Sequence, residues 1–176
     1  MNRRHFIMSS IGSSVLLAGG GVLWFQQLKN QQDLSLSNLL LTLEQLQTQD
    51  IRFIGQWNDF QIFTHLAQSI EFSMTGYPEH KSKLFKSILG KSAFRVFSKQ
   101  GSMSHGLNEP IPGAPELLPD GFTHAALSRL INAINTFIDY NGELHAHFAY
   151  GELSHEEYAN AHAMHIYNHF EELVRT

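Results

Sequence analysis

Apolar residues recur every third or fourth position in four separate stretches, and no alternating run is long enough to claim a strand. That period matches a helix of 3.6 residues per turn with one buried face. In "LSLSNLLLTLEQLQTQD" (34–50), Leu36, Leu39, Leu40, Leu43 and Leu46 share a face, and Ser35 or Ser37 is placed to cap it. "WNDFQIFTHLAQSIEFSMTG" (57–76) puts Ile62, Leu66, Ile70 and Ser73 on one side, with Gln68 and Glu71 opposite. Gly76 and Pro78 end it. "FTHAALSRLINAINTFIDYNG" (122–142) runs through Phe122, Ala126, Leu130, Ile134 and Phe137 and stops at Asn141-Gly142. Ser154 and Glu157 have the spacing of a capping box and open the last helix.

The stretch 77–118 breaks the pattern. One short helix is expected around Lys81–Leu89. Then "GSMSHGLNEPIPGAPELLPDG" sets Pro and Gly where regular helix would need ordinary residues. Four helices with one long crossover make an all-α, four-helix bundle. A connection this long in a compact domain usually covers a site. Leu84, Phe85, Phe94, Val96 and Phe97 give it apolar residues to bury.

The first thirty residues are of another kind. "MNRRHFIMSSIGSSVLLAGGGVLWFQQLKN" sets two arginines before an apolar run from Phe6 to Phe25. Charge ahead of a hydrophobic stretch is the signature of an export segment. Arg3, Arg4, Phe6 and Ile7 resemble the twin-arginine motif, with Asn2 before the pair and no Lys after it. The run approaches the roughly 20 residues that span a bilayer, and no clean cleavage site follows. A cleaved signal and an uncleaved membrane anchor both fit. The expected organisation is an export signal or anchor over 1–30 and a helical domain over 31–176, located in the periplasm or on the outer side of the cytoplasmic membrane.

The net charge of -4 gives no electrostatic reason to expect nucleic acid as a partner. Without cysteine there are no disulfides, thiolate metal sites or Cys nucleophile, so any metal must be held by His, Asp or Glu. "SHEEY" is not a zinc-protease motif, because Ala159 stands where the second His belongs. No G-x-S-x-G elbow is present.

Eleven histidines remain to be explained, three of them in "HAMHIYNHF" (162–170). At about 100° per residue, His162, His165 and His169 fall within about 60° of one another. They share the apolar face with Tyr158, Ile166, Phe170 and Leu173, while Asn160, Asn168 and the glutamates fall opposite. A buried imidazole needs partners for both nitrogens, and three on one stripe are most easily satisfied by a metal. His165 pairs with His169 at i, i+4 or with His162 at i, i+3. His162 and His169 lie about 10.5 Å apart along the axis and cannot share an ion. A third ligand must come from a facing helix, and His65, beside Ile62, Leu66 and Phe72, is the candidate. His155 is expected to be solvated, and His105 and His124 carry no expectation beyond exposure.

"FTHLAQSIEFSMTG", "HFAYGELS" and "HIYNHF" together resemble the DinB-like (DinB/YfiT-like) superfamily of metal-binding four-helix bundles. The resemblance is greatest to a branch known only as a domain of unknown function. "PIPGAPEL" is also like that branch, and the likeness covers about 50–176. It implies His65, His165 and His169 as metal ligands. Asn168 stands where the branch often has another His, and Phe148 replaces a Pro after His147. His147 and His162 are expected around the ligands rather than among them. Some DinB-like relatives are thiol-dependent transferases, so the resemblance implies a metal-dependent thiol transferase or hydrolase using a low-molecular-weight thiol or other small molecule. A non-catalytic metal or small-ligand binding module of the cell envelope is the alternative. Imidazoles suit zinc, nickel, iron or copper, and spacing does not choose among them. Binding is expected to fade below about pH 6, where imidazole protonates.

Overall fold

The structure, a computed structural model, describes residues 34–175. The expected export segment, residues 1–30, lies outside them. Helix α1 is Leu36–Leu46 and strand β1 is Ile51–Phe53. Helix α2 is Asp59–Thr75. A third helical stretch, α3, is built from Lys83–Phe85, a π turn over Lys86–Gly90, and Lys91–Gln100. Helix α4 is Thr123–Ile138 and α5 is His155–His169. A 3₁₀ turn, Phe170–Glu172, leads into strand β2, Leu173–Arg175. The described residues are thus mostly helical, with five helices and one small antiparallel sheet. None of these helices is long and apolar enough to cross a membrane.

The buried residues follow the expected period. Leu36, Leu39, Leu43 and Leu46 of α1 meet Ile62, Phe63, Leu66 and Ile70 of α2 in one core. Leu130, Ile134 and Phe137 of α4 and Tyr158, Ile166 and Phe170 near the chain's end complete it. Each such side chain contributes about 1.5–3 kcal/mol on leaving water. Helix α2 is central, packing against both α4 and α5. Glu71 of α2 and Arg129 of α4 add a two-pronged ion pair at 2.8 and 2.6 Å on the outer side.

The sheet ties the two ends of the site together. β1 runs into α2 and β2 follows α5, paired Ile51 with Arg175 and Phe53 with Leu173. Phe53 is buried, donates its backbone N–H to Asp59 Oδ1 at 2.6 Å, and packs against the rings of Phe63 and Phe170. The start of α2 and the end of α5 are therefore held side by side.

Four expectations are corrected. The helix after the short 81–89 segment does not stop there but continues to Gln100, ending at Gly101 with φ 67. The Pro/Gly-rich break begins only at that glycine, so nothing before it interrupts the backbone hydrogen bonds. In this stretch Phe94 is buried, against Met103, Ala161 and Met164, and Phe85 is partly exposed at the rim of a cavity, whereas Leu84 and Val96 face solvent. Phe122 is 86% exposed, because α4 begins at Thr123 and leaves it outside the first turn. Gln68 and Asn168, expected on solvated faces, are both buried. Gln68 sits on the central helix, and Asn168 is covered by the connection between α3 and α4.

Candidate metal centre

Two capping boxes set the registers that matter. In α2, Asn58 Oδ1 accepts from the Gln61 N–H while Gln61 Oε1 accepts from the Asn58 N–H. In α5, Ser154 and Glu157 make the same reciprocal pair. These ends orient the helices so that His65 faces His165 and His169, which are one turn apart on α5.

The three imidazoles form a triangle. Ring centres are 5.0 Å apart for His65–His165, 5.1 Å for His65–His169 and 5.0 Å for His165–His169. One nitrogen from each lies within 4.8 Å of the others. His65 Nε2 stands 3.2 Å from His165 Nε2. Two nitrogens at about 2.0–2.1 Å from one tetrahedral ion would be about 3.3 Å apart. Trp57 closes one side, stacked parallel to His169 and tilted onto His65.

The donor set fits a divalent transition metal. His65 and His169 are buried, and His65 Nδ1 and both nitrogens of His169 have no hydrogen-bond partner. Buried polar atoms are rarely left so, and an ion at the triangle would satisfy one nitrogen of His169. Burial, then the neighbouring His105, lowers the His65 pKa to about 3. Burial and the adjacent imidazoles push His165 and His169 down as well. Neutral imidazoles present the lone pairs that metal ligation needs.

His162 and His147 lie apart from the triangle. His162 Nε2 is 3.3 Å from Ser73 Oγ, and its ring packs on Phe137 and Tyr158. His147 Nδ1 accepts from the N–H groups of Ala149 and Tyr150, at 3.1 and 3.2 Å. It therefore organises the "HFAYGELS" turn, which a bridge to Gly151 closes. Both line the cavity beside the triangle. His155 is exposed and donates to the Phe137 carbonyl at 3.0 Å. His124 is exposed.

The residue that sequence reasoning missed is His105. Its ring lies 4.7 Å from that of His165 and 5.2 Å from that of His169. It comes from the α3–α4 connection, where no periodicity marks an inward position. The clue available was a histidine inside a segment expected to cover the site.

A cavity of about 340 Å³ opens beside the triangle. His65 and His165 form its floor, and Met103, His105, Ile111 and Pro112 of the connection help to wall it. The connection does border the site.

A family profile described as "Protein of unknown function (DUF1569)" matches residues 26–176. The chain belongs to that family. The matched span includes all three histidines of the triangle, the "HFAYGELS" turn and the connection carrying His105. No curated protein and no solved structure matches the chain.

Proposed function

We propose that this protein binds one divalent transition metal through His65, His165 and His169, and that the ion's remaining positions face the cavity. The observation that carries this is the 3.2 Å approach of His65 Nε2 to His165 Nε2, beside the buried, partnerless nitrogens of His169. Three protein ligands with an open position are the pattern of catalytic rather than structural sites. When bound, such an ion supplies Lewis-acid chemistry and lowers the pKa of a water or thiol beside it. The chain's own residues hold the imidazoles neutral, exclude water with Trp57, and wall a mostly apolar space for a small molecule.

Metal-dependent thiol transfer or hydrolysis is the activity that the DinB-like resemblance favours. A non-catalytic metal or small-ligand module uses the same residues. The four helices α1, α2, α4 and α5 are read as the bundle of that superfamily, with α3 as an elaboration of its crossover. Residues 1–30 are read as an export signal or anchor, on the strength of Arg3 and Arg4 ahead of the Phe6–Phe25 run. The bundle would then work outside the cytoplasm.

Elemental analysis of the protein purified from its native host tests the metal reading. About one equivalent of zinc, nickel, iron or copper per chain is expected. A wild-type protein with the same trace metal as its His165→Ala variant would overturn it. Turnover of low-molecular-weight thiols by the loaded protein then separates the enzyme from the binding module.

A further inference from the structure

We propose that the ion takes a fourth imidazole, Nε2 of His105, delivered by the connection between α3 and α4. This rests on the three-histidine reading and adds a ligand to it.

Four observations converge. His105 Nδ1 is 2.8 Å from the Gly106 carbonyl oxygen. A carbonyl only accepts, so Nδ1 carries the proton and Nε2 keeps its lone pair. That Nε2 is buried and has no partner. One ring nitrogen donating to a backbone carbonyl while the other is free is how proteins prepare a histidine to ligate a metal. The ring stands 4.7 and 5.2 Å from those of His165 and His169, much the spacing that the triangle keeps among its own members.

The fourth observation is the tether. The backbone N–H of His105 donates to Asn168 Oδ1 at 3.2 Å. Asn168 is buried and precedes His169 in α5. The helix that supplies two ligands thus also fixes the segment that brings the fourth. Here Asn168 holds a histidine in place from elsewhere in the chain. His105 is not among the nitrogens already gathered within 4.8 Å, so loading must draw the connection slightly inward. A four-coordinate ion would then be closed by protein, whereas a five- or six-coordinate one keeps an open position toward the cavity.

The test uses the full chain loaded with cobalt(II) and proton NMR. Each ligating imidazole keeps one N–H, and its resonance is shifted far outside the normal range by the paramagnetic ion. Four such exchangeable signals are expected in the wild type. Three are expected in His105→Ala and in His105→Gln, with cobalt affinity lowered by more than the 10–100-fold typical of a residue that merely supports a ligand. His105→Gln keeps a side chain of similar reach, so its result does not depend on a hole in the fold. Asn168→Ala removes only the tether, and should keep four signals with weaker binding. Three signals in the wild type, all kept in both His105 variants, would overturn the fourth ligand and leave the triangle standing. A wild type that holds no cobalt would overturn both.

Discussion

His65 Nε2 and His165 Nε2 stand 3.2 Å apart although 100 residues separate them in the chain. Neither nitrogen can donate to the other unless one imidazole is in the tautomer protonated there. With a shared ion neither needs that proton, because both lone pairs then point at the metal.

Substitution should sort the histidines by role. His65→Ala, His165→Ala and His169→Ala should each lower metal affinity by orders of magnitude. His162→Ala and His147→Ala, whose nitrogens are engaged with Ser73 and the 147–151 turn, should cost no more than the roughly 10–100-fold typical of residues that support a ligand. Metal content after dialysis is the measurement. Near-complete loss in His162→Ala with little loss in His169→Ala would move the site to the i, i+3 pair.

The metal-free protein should be strained at His169. Both its nitrogens are buried without a partner, and leaving such a group unsatisfied costs about 1–3 kcal/mol. His169→Leu should therefore raise the Tm of the metal-free protein by a few degrees while abolishing metal binding. A lower Tm in calorimetry would mean that the imidazole is satisfied without a metal.

Acid should destabilise the metal-free fold from about pH 6.5 downward. Burial holds His147 and His162 at about 3 in the folded chain, against 6.5 when exposed. Between those values the unfolded chain binds more protons than the folded one, so stability is full above 6.5 and falls as pH drops toward 3. Each such imidazole contributes a slope of about 1.4 kcal/mol per pH unit. His65, also near 3, behaves likewise. Proton competition at the folded site is thereby postponed well below the pH 6 that ordinary imidazole implies, and metal release should coincide with acid unfolding. Urea midpoints at pH 7, 6 and 5 check this; a constant midpoint would refute it.

Gly90 should tolerate no side chain. It lies in the π turn of α3, where an added Cβ would collide with the carbonyl oxygen of Ala149. Gly90→Ala must push α3 away from the "HFAYGELS" turn that His147 organises. A destabilisation of roughly 1–3 kcal/mol is expected, with faster proteolysis of 83–100. An unchanged melting curve would show that the two segments separate freely.

A chain beginning at Gln31 should fold, show helical circular dichroism and melt cooperatively, since among the described residues α1, α2, α4 and α5 already build one shared core. Insolubility of that chain beside a folded full-length protein would assign the first thirty residues to the core.

The helices were legible because their buried residues keep one period: Leu36, Leu39, Leu43 and Leu46 are all in the core. The triangle was legible because His165 and His169 sit one turn apart on an apolar stripe and His65 lies on a facing one. A helical wheel knows only one partner side, however. It misplaced Gln68 on a helix packed on more than one side, and Asn168 where a non-helical connection covers the end of α5. His105 was illegible for the same reason: its position depends on Asn168 and Gly106 rather than on any repeat. The continuation of α3 to Gln100 was hidden by reading the whole of 77–118 as one broken segment, when the break starts at Gly101.

The hundred-residue span between His65 and His165 gives the ion a mechanical meaning. In a chain without cysteine, an ion held across that span acts as a removable cross-link. A covalent bridge closing a loop of about 100 residues would restrict the unfolded chain by roughly 4.7 kcal/mol. An ion that binds only the folded chain stabilises it instead by about 2.7 kcal/mol at a hundred times its dissociation constant. A chelator would then do to this fold what a reductant does to a disulfide-bonded one.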